Sequence, residues 1–237
     1  MKTEELQPCQ TVGRKEEAAG SPRLVPGGYF IVIEGIDGTG KSTQVHLLAE
    51  KLRQLGYAVV ATREPTNGVY GKKIRELFVD RGSVTREEEL ELFIADRAQH
   101  VGEIIGPALA DGCIVVCDRY YLSTIAYQGA NGLDRDLILQ KNIKFPAPDL
   151  AIILEVEPAK SICRIKHHRN EHPNTFEQEA NLLKVAAIFA AMPQDYITRV
   201  NGAGSIEDVH HLVFKAVCRA LAEKIGRQPA GMITDAV

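Results

Sequence analysis

The sequence predicts an α/β fold: a five-stranded parallel sheet with helices on both faces. Two observations carry this. Apolar strand-length runs alternate with amphipathic helical segments along the whole chain. The strand runs are also apolar throughout rather than alternating, as expected when both faces of a parallel sheet are covered.

The elements follow in order. Residues 1–27 are polar, mixed in charge and end in GSPRLVPGG, so they read as a tail outside the domain. YFIVIEG is the first buried strand. GKSTQVHLLAEKLRQLG is a helix, with Leu47, Leu48, Leu52 and Leu55 at helical spacing and Gly56 as its stop. YAVVATREP is the second strand, closed by Pro65, and GKKIRELFVD is a short helix. A long helix starts at Thr85, a good N-cap with acids in the first turn, and Pro107 is expected to kink or restart it. CIVVCDRY is the third strand and YLSTIAYQG the next helix. DLAIILEV is the fourth strand, followed by helices PAKSICRIKHH and NTFEQEANLLKVAAIFAAM. YITRVNG is a weak fifth strand, and SIEDVHHLVFKAVCRALAEKIG is the closing helix. The domain is therefore expected over 28–227, with a basic segment over about 164–177 after the fourth strand, and a short tail over 228–237.

Composition narrows the function classes. With 237 residues, 45% of them apolar, the chain can bury one substantial core. A formal net charge of −3 supplies no global field for nucleic acid or membrane, so any anion site must be local. Cys9, Cys113, Cys117, Cys163 and Cys218 are scattered, with no zinc spacing. They point to a reducing compartment. No run of 18 apolar residues crosses a membrane, and the N-terminus lacks the apolar core of a signal peptide. A cytoplasmic protein without membrane or nucleic-acid partners is expected.

The chemistry begins in GIDGTGKS, which fits G-x-x-x-x-G-K-[ST] through Gly35, Gly40, Lys41 and Ser42. Glycines let successive backbone N–H groups face phosphate oxygens, and the following helix adds its positive N-terminus. The ATP cradle is thus expected from Gly35, Ile36, Asp37, Gly38, Thr39, Gly40, Lys41, Ser42 and Thr43. Lys41 would reach the β- and γ-phosphates, and Ser42 would face Mg2+. Hydrolysis, switching and transfer all remain open at this point. Asp118-Arg119-Tyr120 ends the third strand, where Asp118 can hold Mg2+ through water and Arg119 can pair with phosphate. Phe93 and Arg97 share one helix face. A stacking ring beside a fork-shaped cation suits a base plus a phosphate, and core packing plus a solvated charge explains the spacing equally well.

GIDGTGKST, TREP, LFIADRAQH, GPALADG and DRYYLSTIAYQG occur in the order and at the separations of thymidylate kinase. The chain resembles that family over about 29–225. The resemblance implies transfer of a phosphoryl group from ATP to dTMP, giving dTDP, usually by a homodimer. It implies that Phe93 stacks on thymine and that Arg97 and Arg119 bind the acceptor's phosphate. Thr124 and Gln128 would contact the base or line its pocket, and Tyr127 would crowd the 2′ position of the sugar. Asp37 would lie near the acceptor's 3′-hydroxyl and phosphate, with Arg63 and Glu64 beside the acceptor. Family members place an arginine either in the phosphate loop or in the lid. Positions 36–39 hold no base, so Arg164, Lys166 and Arg169 in the lid would cover the transferring phosphate. A solvated basic helix face is the alternative for those three. Asn174 and Thr175 stand where the family carries an Asp-Arg pair, which leaves the exact acceptor, or catalysis itself, as the point of divergence. Rival readings are a kinase for dUMP or a related nucleotide, and a nucleotide-binding paralogue without chemistry.

Overall fold

A computed structural model describes residues 21–78, 84–169 and 175–226, with side chains described except at 166–169 and 175–178. The candidate lid residues Lys166, Arg169, Asn174 and Thr175 therefore lie outside the described side chains.

Five strands form one parallel sheet in the order β2-β3-β1-β4-β5. They are β1 (Tyr29–Glu34), β2 (Val59–Arg63), β3 (Ile114–Asp118), β4 (Leu150–Glu155) and β5 (Ile197–Asn201). The expected fold class is correct. Side chains alternate across β1 by the period of two. Phe30 and Val32 enter one core, while Tyr29, Ile31 and Ile33 enter the other. The second core is closed by α1 (Lys41–Gln54) and α9 (Ile206–Ile225), through Leu48, Leu52, Val213 and Val217. The first is closed by α3 (Arg86–His100), α5 (Tyr121–Ala130) and α8 (Thr175–Ala190), through Ile94, Leu122, Val185 and Phe189. The strand order reverses at β1, so a crevice opens beyond the carboxyl ends of β1 and its neighbours.

Local signals behave as the residues require. Thr85 caps α3, and Glu88 completes a capping box. Gly56, at φ 86°, ends α1. After His100 the helix widens into a π-turn, Val101–Ile105, before α4 (Gly106–Ala110) resumes with Pro107 near its start. That is the restart expected from Pro107, whose missing N–H cannot continue the α ladder. The short helix expected over 71–80 is α2, Val69–Leu77, and the expected lid helix is α7, Pro158–Arg169.

Two expectations need correction. Helix α6 (Arg135–Asn142) was not foreseen; Asp134 caps it, accepting from the Asp136 N–H. The domain also begins earlier than residue 28. Arg23 N–H donates to the Gly56 carbonyl at 2.7 Å, Val25 N–H to Gly112 at 2.8 Å, and the Val25 side chain is 1% exposed within the α1/α9 core. Local composition hid this, because one apolar side chain and two edge hydrogen bonds leave no periodic pattern. Residues 1–20 and 227–237 lie outside the described residues.

Docking of this segment predicts that Val25→Ala costs about 2 kcal/mol, the scale of lost burial plus a residual cavity. Urea denaturation measures it. A change below about 0.5 kcal/mol, the range of surface substitutions, would show that the segment is not part of the folded unit.

Candidate active site

The crevice is built from four strand ends, and two buried carboxylates organise it. Glu34 ends β1 with no exposed surface. It accepts from Tyr120 N–H at 2.8 Å, Ser123 N–H at 3.2 Å and Ser123 Oγ at 2.5 Å. These bonds cap the start of α5: they take up the Tyr120 N–H, and they share the Ser123 N–H, which also reaches the Tyr120 carbonyl at 3.1 Å. They also hold Arg119 in the left-handed region, at φ 69°, an unusual place for a non-glycine residue. Arg119 N–H donates to the Ile33 carbonyl at 3.0 Å, which completes the turn. The guanidinium is thereby aimed back across the crevice. It donates to Ser123 Oγ at 3.0 Å and to Asp37 Oδ1 at 2.5 Å, and lies 5.1 Å over the Tyr127 ring.

The phosphate loop runs from Gly35 to Ser42. Gly35 and Gly38 have positive φ, and Gly40, at φ 93°, caps α1. Space requires glycine as well: a Cβ on Gly38 would sit 2.6 Å from the Ser161 carbonyl of α7. The lid's root helix therefore presses on the loop at the very position where a side chain would have to fit. Lys41 is buried, and its Nζ donates to the Ile36 carbonyl at 2.7 Å. Burial pushes its pKa down to about 8. Polyphosphate oxygens beside it would restore the ammonium and draw it off the carbonyl.

Ser42 Oγ donates to Asp118 Oδ2, and Asp118 Oδ1 is buried with no hydrogen-bond partner among the described residues. One hydroxyl and one carboxylate with a spare oxygen fit Mg2+, which keeps most of its waters and takes few protein ligands. No cluster of three metal-ligating acids, histidines or cysteines occurs among the described residues.

On the acceptor side, Glu64 follows β2 and is joined to Pro65 by a cis peptide. Its Oε2 accepts from Arg97 Nη2 at 2.6 Å, and its Oε1 faces His100 Nδ1 at 3.1 Å. Arg97 also donates to Asn142 Oδ1 at 2.6 Å and to Thr124 Oγ1 at 3.0 Å, with its guanidinium 5.0 Å over the Tyr120 ring. It is 1% exposed. This differs from the phosphate-facing position expected of Arg97, because Glu64 already balances its charge inside the fold. Removing either partner would strand a buried charge, at a cost of about 3–5 kcal/mol. Phe93 sits one turn earlier on α3, half-buried and outside both cores. Gln128 is buried, and its Oε1 has no hydrogen-bond partner among the described residues. Tyr127 is half-buried, and burial raises its phenol to about 12.

Two expected residues sit further out. Arg63 is exposed and donates to Asn67 Oδ1 at 3.2 Å. Arg164 donates to the Gly202 carbonyl at 3.0 Å, so it braces the loop after β5. Lys166 is among the side chains not described.

Several participants escaped the sequence reading. Glu34 was visible as a lone acid closing an apolar strand. Asp96, beside Arg97, binds the Thr66 N–H and hydroxyl at 2.9 and 2.6 Å and shapes the turn after Pro65. Arg75 on α2 donates to the Pro65 carbonyl and to Asn67 beside that turn. Ser123 and Asn142 carried no signal of their own.

The Glu34 carboxyl is raised from 4.5 to about 7, burial outweighing the Ser123 hydroxyl and the backbone N–H groups. Between those values the folded state holds a proton that the unfolded chain has released. This contribution to stability is present at acid pH and lost as pH rises through that window. Glu34→Gln removes the titration, so the stability difference between variant and wild type should change by about 3 kcal/mol from pH 4.5 to pH 7. Denaturation at the two pH values measures it, and a difference independent of pH would refute the assignment.

The comparisons with known proteins agree with this geometry. The family profile described as thymidylate kinase matches residues 33–213. A thymidylate kinase of Desulfotalea psychrophila is 50% identical over 194 residues, covering 82% of this chain and 96% of that protein. One from Xanthomonas campestris pv. campestris is 41% identical over 202 residues, covering 85% and 88%. The crystal structure of thymidylate kinase from Ehrlichia chaffeensis superposes with a TM-score of 0.62 at 33% identity, covering 81% of this chain and all of that one. With a phosphate loop and a buried acceptor framework on the same sheet edge, and matches of this extent, the chain belongs to the thymidylate kinase family.

Proposed function

We propose that the protein transfers the γ-phosphoryl group of ATP to dTMP, giving dTDP, by direct in-line displacement. The observation that carries this reading is the Arg119–Asp37 pair. It ties the acceptor strand β3 to the donor's phosphate loop, and so sets an acceptor-facing cation against the donor phosphates.

The residues divide the work. Gly35, Ile36, Asp37, Gly38, Thr39, Gly40, Lys41, Ser42 and Thr43 cradle ATP, and Lys41 neutralises charge on the transferring group. Arg119 holds the acceptor phosphate, with Arg63 and Arg75 on the outer side of the turn after Pro65. Phe93 stacks on the base, Thr124 and Gln128 meet its polar edge, and Tyr127 fills the space a 2′-hydroxyl would need. Arg97 and Glu64 support this pocket from behind. Arg164, on leaving the Gly202 carbonyl, would join Lys166 in closing over the phosphates from the lid. Ser42 and Asp118 are the residues that would hold Mg2+, which would supply neutralisation of phosphate charge. An ionised acceptor phosphate is nucleophile enough, so alignment and charge balance replace a strong general base.

No described helix is long and apolar enough to cross a membrane. A cytoplasmic homodimer fits the reading. Exposed Val69 and Tyr70 on α2, and Ile104 in the π-turn, are compatible with burial against a second copy.

An ADP-release assay with ATP against dTMP, dUMP and thymidine tests the proposal. Turnover is expected with dTMP, less with dUMP, and none with the uncharged nucleoside. Lys41→Ala should lower kcat by about 10³-fold. ATP binding without phosphorylation of any monophosphate, or near-normal turnover in Lys41→Ala, would overturn it.

A further inference from the structure

We propose that His100 is a positioning residue for the acceptor base: through Glu64 and Arg97 it holds the Thr124 hydroxyl where the pyrimidine edge is read. The proposal rests on the reading that this pocket takes dTMP.

His100 is the last residue of α3 and is 1% exposed. Its ring spans two partners on β2 and the residue after it. Nε2 lies 2.7 Å from Thr62 Oγ1, and Nδ1 lies 3.1 Å from Glu64 Oε1. Thr62 and Glu64 are two residues apart in extended chain, so both face the same side and meet one ring. An ionised carboxylate only accepts, so Nδ1 carries a proton. Glu64 is then held at both oxygens, by His100 on one and Arg97 on the other.

That double hold fixes Arg97. Its other amino group is anchored on Asn142, whose own amide donates to the Ile138 carbonyl at 2.7 Å. What remains is the bond from Arg97 Nη2 to Thr124 Oγ1. A hydroxyl has one proton and two lone pairs. Arg97 occupies one lone pair, so Thr124 presents its proton and its second lone pair in a set direction. The chain Thr62–His100–Glu64–Arg97–Thr124 thus runs from β2 through α3 to α5. The π-turn begins at the residue after His100. Such turns recur at functional sites, and here it lets α3 keep its facing to β2 while α4 follows its own path into β3.

A buried histidine with two partners can also serve stability alone, and the experiment separates the two roles. His100→Phe removes both bonds at similar volume. His100→Asn keeps a donor near the Nδ1 position. Thr62→Val removes only the outer partner. Steady-state kinetics with ATP and dTMP, thermal melting, and long-range 15N–1H spectra of the His100 ring are the readouts. Folded His100→Phe should raise KM for dTMP between about tenfold and a hundredfold, the scale of a misplaced binding group, with KM for ATP unchanged. His100→Asn should recover most of that loss, and Thr62→Val should fall between. The wild-type spectrum should show Nδ1 protonated.

A folded His100→Phe with wild-type KM for dTMP, or with both KM values raised alike, would overturn the proposal. So would a ring protonated only at Nε2. If His100→Phe does not fold, Thr62→Val decides by the same comparison. A wild-type enzyme inert toward dTMP would instead refute the proposed reaction, and the ring spectrum would still report on the hydrogen-bond chain by itself.

Discussion

The site depends on one constraint: a carboxylate has been placed at the inner end of the central strand, where water does not reach, and must be satisfied there. Glu34 finds its donors in the first turn of α5 and in the Ser123 hydroxyl. Satisfying it fixes how β3 turns into α5, and that turn is what puts Arg119 at positive φ. Gly35 follows Glu34 directly, so the same carboxylate sets both the start of the phosphate loop and the direction of the facing arginine. The phosphate loop and Arg119 share an anchor rather than being placed separately.

The second buried carboxylate works in parallel. Glu64 gathers Arg97 and His100, and the three side chains are nearly out of contact with water. In that setting each hydrogen bond is strong, and the bonds to Glu64, Asn142 and Thr124 hold Arg97 rigidly even though its Nε is buried without a partner among the described residues. Rigidity is what phosphoryl transfer asks of a protein, because alignment and fixed charge supply most of the catalysis. Two other charges of the crevice, Asp37 and Arg119, sit at its rim instead. Asp37 and Arg119 retain side-chain exposures of 52% and 18%, and Lys41 rests on a loop carbonyl it can leave. Helix α7 adds a further constraint, because its Ser161 carbonyl approaches the loop at Gly38.

Much of this was legible in the sequence. The five strands, Gly56 as a helix stop, Thr85 as a cap and the loop from Gly35 to Ser42 are local patterns, and each appears where it was read. Phe93 and Arg97 were correctly placed on one helix face. Their surroundings were not legible. The spacing that pairs Phe93 with Arg97 says nothing of Glu64, 33 residues earlier, or of Asn142, 45 residues later, which together decide that Arg97 is buried. Helix α6 was missed for a related reason: its eight residues bury Ile138 and Asn142, too little apolar pattern to stand out. Val25 was read as tail because its burial depends on Tyr57 and Gly112, distant in sequence.

By itself the sequence determined the elements, their alternation and the chemistry of the phosphate loop, because these follow from side-chain period and from backbone freedom at glycine. The tertiary structure decided which charges are spent inside the fold and which face the crevice. Desolvation is a property of place: Arg97 and Arg119 are the same side chain, yet one is balanced by a buried carboxylate and the other is held at the rim. Only the packing of β1, β2 and β3 against α3 and α5 makes that distinction.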